Sequence, residues 1–158
     1  MNKRFNDYLS TLTPKKRDLA AEAVLEFLKG ESSEVTQIYT ASQIFNSCRD
    51  MCLLDVEHFD VILLNQNYRV IKRVNISKGG ITEVSVDIRI IFRECLLNNA
   101  TALICVHNHP SGNLKPSKCD NDLTTSINKA SQIMRIKLLD HVIISDGAYY
   151  SYKEDGKL

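Results

Sequence analysis

The sequence predicts an α/β fold, a layered mixed β-sheet flanked by helices, and three observations predict it. Apolar residues recur at helical spacing in some segments and in short β-rich or unbroken apolar runs in others. These segments follow the order helix, helix, hairpin, helix, strand, helix, strand, strand, interleaving rather than clustering by type. The 158 residues, 44% hydrophobic and 25% charged, suit one ordinary globular domain with a real core, and no internal repeat is visible.

The first helix is expected from Pro14 to Lys29, with Leu19, Ala20, Ala23, Val24, Phe27 and Leu28 at helical spacing and Gly30 just past its end. Glu31 to Glu34 is a polar break. Thr40 with Gln43 three residues on resembles a capping box, opening a second helix through about Leu54. The period then changes. Phe59 to Leu64 and Arg69 to Ile76 read as two strands joined across Asn65-Gln66-Asn67, a hairpin signal. Lys78-Gly79-Gly80 is a turn, since no phosphate-loop pattern surrounds it, and Val84 begins a short extended piece.

Asp87 caps a helix running through Ile91, Phe92, Cys95 and Leu96 toward Asn99. Thr101 to Val106 is a buried strand. Ser117 and Asp120 form a second capping-box pattern, opening a helix with Leu123, Ile127, Ala130 and Ile133 on its apolar side. Ile136 to Ser145 and Tyr149 to Tyr152 close the chain as strands. Residues 1–34 are expected to form a loosely attached helical appendage and 35–158 the main domain.

Lys plus Arg is 20 against 19 for Asp plus Glu, a net charge of +1, which gives no global argument for nucleic acid or anionic membrane. Five scattered cysteines without a C-x-x-C pair fit a reducing compartment. Neither a secretory signal nor an apolar run of roughly 18–20 residues is found, so the expectation is a cytoplasmic protein with no membrane partner.

The chemistry concentrates in Val106-His107-Asn108-His109-Pro110-Ser111-Gly112, followed by Ser117 and Asp120. Alternate side chains of an extended chain share a face, so His107 and His109 can converge on one ion. Pro110 keeps His109 extended, and the chain turns to a helix whose first turn carries Asp120. Two imidazoles and one carboxylate suit zinc and leave a fourth tetrahedral position for water, as in catalytic sites. Zinc lowers the pKa of such a water from about 9 to about 7. Hydrolysis further needs a base, and with no H-E-x-x-H present the candidates are Asp55, Glu57 and Asp60.

The run His107-Asn108-His109-Pro110-Ser111-Gly112, with Pro116-Ser117, Asp120 and the later Leu139-Asp140-His141, closely resembles the RadC family of the JAB/JAMM (MPN) metalloprotease-like superfamily. The resemblance covers roughly Gln37 to the C-terminus and implies the JAB/MPN architecture, which is similar to that of cytidine deaminases. It implies that His107, His109 and Asp120 bind zinc and that Glu57, about fifty residues before His107, is the general acid/base. Ser117 is assigned oxyanion stabilisation by the same resemblance, beside its reading as a helix cap. Longer family members carry an N-terminal helix-hairpin-helix region, for which residues 1–34 are too few.

Other candidates have structural readings. Cys119 is an incidental thiol, since neighbouring helix positions point about 100° apart. His141 alternates with Leu139 and Ile143 and reads as a buried, hydrogen-bonded histidine. His58, on the face opposite Glu57, is structural or exposed, and Asn108 and Ser111 orient the loop.

The leading expectation is thus a zinc-dependent hydrolase of the JAB/JAMM type, acting on a peptide or isopeptide bond in a peptide or protein substrate. The alternatives are a DNA-repair-associated accessory module, after the family's label, and a metal-binding scaffold without peptidase activity. A base deaminase is excluded, because its H-x-E and P-C-x-x-C signature is absent.

Overall fold

The computed structural model describes Thr13, Gln37, Ile38 and residues 40–79 and 86–158. Thr13 aside, these fall in one unit, Glu34–Leu158. The helix expected over Pro14 to Lys29 and the extended piece at Val84 lie outside the described residues, as does the appendage 1–34 apart from Thr13.

Among the described residues the elements run α1 (Ala41–Ser47), a 3-10 helix (Arg49–Leu53), β1 (His58–Leu64), β2 (Val70–Lys78) and α2 (Ile88–Leu97). Then come β3 (Ala102–Asn108), α3 (Lys118–Met134), β4 (Lys137–Ser145) and β5 (Ala148–Ser151). The strands form one five-stranded sheet in the order β2-β1-β3-β4-β5. Only β3 and β4 are parallel, joined through α3; the other three pairings are antiparallel. This is the mixed α/β sheet expected.

Alternation along the strands feeds two cores. Ile62, Leu64, Ala102, Ile104, Val106, Val142 and Ile144 face α1 and the 3-10 helix, with Ile44, Phe45 and Met51. Phe59, Val61, Leu63, Leu103 and Cys105 face the other way, onto Ile91, Phe92 and Cys95 of α2 and Ile127 of α3. All seven residues of β3 are buried, as a central strand covered on both faces requires. Among the described residues no helix is long and apolar enough to cross a membrane.

The main differences from expectation are two boundaries and one helix face. Thr40 and Gln43 do form a capping box, yet the helix stops at Ser47 and the chain rewinds as 3-10. Arg73 of β2 stabilises the break. Its guanidinium donates to the carbonyl of Ser47 (3.4 Å), to Asp50 (2.8 Å) and to Asp60 (2.6 Å), while Cys48 and Met51 turn into the core. Strand β3 runs on past Val106 to Asn108, carrying His107 into the sheet. Ile133 does not lie on the buried side of α3: it is 82% exposed, and the buried residues there are Thr124, Ile127 and Ser131.

Candidate metal centre

His107 is the penultimate residue of β3, buried against the Phe59 ring (centroids 5.9 Å apart). His109 follows the strand. Its backbone N–H donates to Ile144 (2.9 Å), and its carbonyl accepts from Ser145 Oγ (2.6 Å), so β4 holds the extended path one residue further. The chain then reverses at Gly112, whose φ of +86° favours glycine; a Cβ there would meet only the movable end of the exposed Asp146 side chain, 2.8 Å from Oδ2. Ser117 caps α3, accepting from the Asp120 N–H (3.1 Å), and Asp120 returns a carboxylate to the Ser117 N–H (2.7 Å). The capping box therefore aims Asp120.

These three elements bring the side chains together. The Nε2 atoms of His107 and His109 lie 2.9 Å apart, with Asp120 Oδ1 3.2 Å from the first and Oδ2 3.6 Å from the second. One ligand atom from each lies within 4.8 Å of the others. His109 Nδ1 meets the carbonyl of Asn113, which only accepts, so neutral His109 turns its Nε2 lone pair inward. A carboxylate and a lone pair thus converge on one small space, and that donor set fits a divalent cation.

The electrostatics agree. Burial raises the Asp120 carboxyl, but His107 and His109 outweigh it whenever protons rather than a metal ion occupy their Nε2 atoms, bonding the carboxylate and holding Asp120 far below the usual carboxylate range. Burial lowers His109, yet Asp120 and the Asn113 carbonyl reverse that, leaving it above its ordinary 6.5. Glu57 adds to the same upward pull, so its charge is felt at the centre.

The open side is a cleft of about 380 Å³, lined by Glu57, Phe59, His107, His109, Ser117 and Asp120 among others. Strand pairing puts Phe59 opposite His107, and continuing that register sets Glu57 opposite His109. Of the three candidate bases only Glu57 lines the cleft. Asp60 turns to the α1 face, where Arg73 and Asn75 bond it, and Asp55 is exposed. The Ser117 hydroxyl also lines the cleft, but its hydrogen goes to Asp120 Oδ2 (2.6 Å). Cys119 is exposed and outside the ligand group. A larger hollow of about 610 Å³ lies toward α1 and β4; its buried carboxylate, Asp140, is already bonded to Ser151 and to the Lys153 N–H.

Two residues contribute differently from what the sequence indicates. Asn108 does not orient the loop. It points to the opposite sheet face, accepts from the His58 N–H (2.8 Å) and donates to the Val56 carbonyl (3.0 Å), gripping both neighbours of Glu57. A buried amide inside an apolar strand must find partners, which was the available signal. His141 is buried and hydrogen-bonded as expected, but its partner is His107 itself (Nδ1 to Nε2, 2.8 Å). His58 is half-buried, its ring 3.4 Å from Asn75 Nδ2, and lines no part of the cleft.

Residues 38–157 match the family model described as the RadC-like JAB domain. Among curated relatives, a UPF0758 protein of Flavobacterium johnsoniae is 46% identical over 100 residues, covering 63% of this chain and 44% of the relative. A UPF0758 protein of Porphyromonas gingivalis is 42% identical over 106 residues, covering 66% and 47%. One from Trichlorobacter lovleyi is 41% identical over 102 residues, covering 65% and 44%. The matched stretch spans less than half the length of each of these relatives.

Proposed function

The chain belongs to the family of RadC-like JAB domains, and on that premise we propose that it is a zinc-dependent hydrolase of peptide or isopeptide bonds. One observation carries the reading: His107, His109 and Asp120 converge within 4.8 Å, in a cleft that Glu57 also lines.

In this reading His107, His109 and Asp120 hold the ion. Zinc bound there supplies Lewis acidity and a water acidified to near neutrality. The chain's own residues do the rest. Glu57 takes the proton as the water oxygen adds to the scissile carbonyl carbon. It then delivers that proton to the leaving nitrogen as the C–N bond breaks, so one carboxylate serves as base and then acid. Ser117 would serve the developing oxyanion by turning its hydroxyl away from Asp120 Oδ2, while the capping box keeps Asp120 in place.

The test uses the protein purified without chelator, metal analysis, and a peptide library carrying both α- and ε-linked bonds read by mass spectrometry. The parent should hold close to one equivalent of zinc and cleave. His107→Ala should lose the metal, and Glu57→Gln should keep it while cleavage falls by about 10²–10⁴-fold. A parent without zinc overturns the metal centre. Full zinc with no cleavage of either linkage overturns the hydrolase and leaves a metal-binding scaffold.

A further inference from the structure

His141 is wholly buried on β4, the strand parallel to β3, between the Phe59 edge and the stacked Tyr152 ring. Its two ring nitrogens are both engaged. Nε2 lies 2.8 Å from His107 Nδ1, and Nδ1 lies 2.6 Å from Thr124 Oγ1. Thr124, one turn after Asp120 on α3, in turn donates its hydroxyl to the Asp120 carbonyl (2.6 Å).

The direction of every hydrogen in this chain follows from its last member. A carbonyl carries no proton, so the single hydroxyl hydrogen of Thr124 is committed to Asp120. Thr124 Oγ1 can then only accept from His141, and His141 Nδ1 must bear the hydrogen. With its hydrogen on Nδ1, the neutral imidazole of His141 presents its lone pair at Nε2. His107 Nδ1 therefore donates, and the His107 lone pair is left on Nε2, the atom facing His109 and Asp120. The opposite tautomer of His141 would force a hydrogen onto His107 Nε2, into the space the ion needs.

We propose that His141 is a positioning residue for the metal centre: oriented by Thr124, it fixes the tautomer and ring plane of His107 so that Nε2 is the ligand atom. The relay closes on itself. It begins at one ligand, His107, and ends on the backbone of another, Asp120, so helix α3 and strand β3 are registered through β4. Ligating histidines commonly donate their second N–H to a carboxylate or carbonyl; here the acceptor is a second imidazole whose own tautomer is set by a threonine. The proposal rests on His107 being a metal ligand.

Thr124→Val keeps the shape of the side chain and removes the hydroxyl, and Thr124→Ser restores the hydroxyl. Zinc affinity, from competition with a chromophoric chelator, should fall about 10–100-fold in Thr124→Val and recover in Thr124→Ser. Long-range proton–nitrogen NMR of the imidazoles, recorded with and without zinc, should place hydrogens on Nδ1 of both His141 and His107 in the parent. In Thr124→Val the His141 signals should shift to a mixture of tautomers. Finding the Nε2–H tautomer of His141 in the parent would overturn the relay, as would parental zinc affinity in Thr124→Val. If His107→Ala binds zinc as tightly as the parent, the metal assignment itself falls, while the tautomer signals still decide what His141 does to His107.

Discussion

Asn108 couples the two halves of the chemistry. It stands between the two histidines in sequence, yet its side chain leaves by the other face and bonds the backbone on either side of Glu57. Asn108→Ala leaves the Val56 carbonyl and the His58 N–H without this partner, a cost of about 1–3 kcal/mol. We expect a lower thermal midpoint and reduced cleavage, with zinc uptake kept because His107 and His109 stay in β3 and its extension. Loss of zinc in step with cleavage would contradict the assignment. At this scale the convergence of His107, His109 and Asp120 was legible, because alternation along a strand and a helix-start carboxylate are local patterns. Spacing alone left Asp55, Glu57 and Asp60 equivalent as candidate bases; the family resemblance pointed to Glu57, and the pairing of β1 with β3 turns Glu57 into the cleft and Asp60 away from it. Thr124 was invisible for the same reason, since nothing in its neighbourhood in sequence announces His141.

The elements show where local periodicity fails. On α3 the apolar residues Leu123, Ile127 and Ala130 indicate one face, but the buried stripe is Thr124, Ile127 and Ser131. At 100° per residue Ile133 lies roughly 150° from the centre of that stripe, so it is exposed. The helix is rotated toward its hydroxyl residues, and the bond of Thr124 to His141 supplies a reason that hydrophobicity cannot encode. The break after α1 has a similar origin in a distant residue, Arg73, which bonds Ser47, Asp50 and Asp60 together. Asp60 is nearly buried, and Asn75 alone would remain to bond it (2.7 Å) if Arg73 were removed. Arg73→Ala should therefore cost about 2 kcal/mol, measured by chemical unfolding. Its zinc content should be unchanged, because this network lies across the sheet from His107. A stability equal to the parent would show that the 3-10 segment needs no such tie.

For the whole molecule, a layered mixed sheet flanked by helices was readable from the interleaved pattern, whereas the strand order and the two cores that the described residues form on its faces depend on pairings between distant strands. Binding to the folded form alone raises stability by mass action. Zinc at a hundredfold excess over its dissociation constant should add about 2.7 kcal/mol, a rise of about 5–10 °C in the thermal midpoint. Chelator should remove the gain, and His107→Ala should show none; an equal rise in that variant would mean that zinc acts elsewhere on the chain. The placement of the candidate ligands also divides the centre between two kinds of element. His107 and His109, together with Glu57, belong to the β1–β3 ladder and its continuation. Asp120 stands on α3, the crossover that joins β3 to the parallel strand β4. An ion held by all three would be a staple between the crossover helix and the sheet it spans.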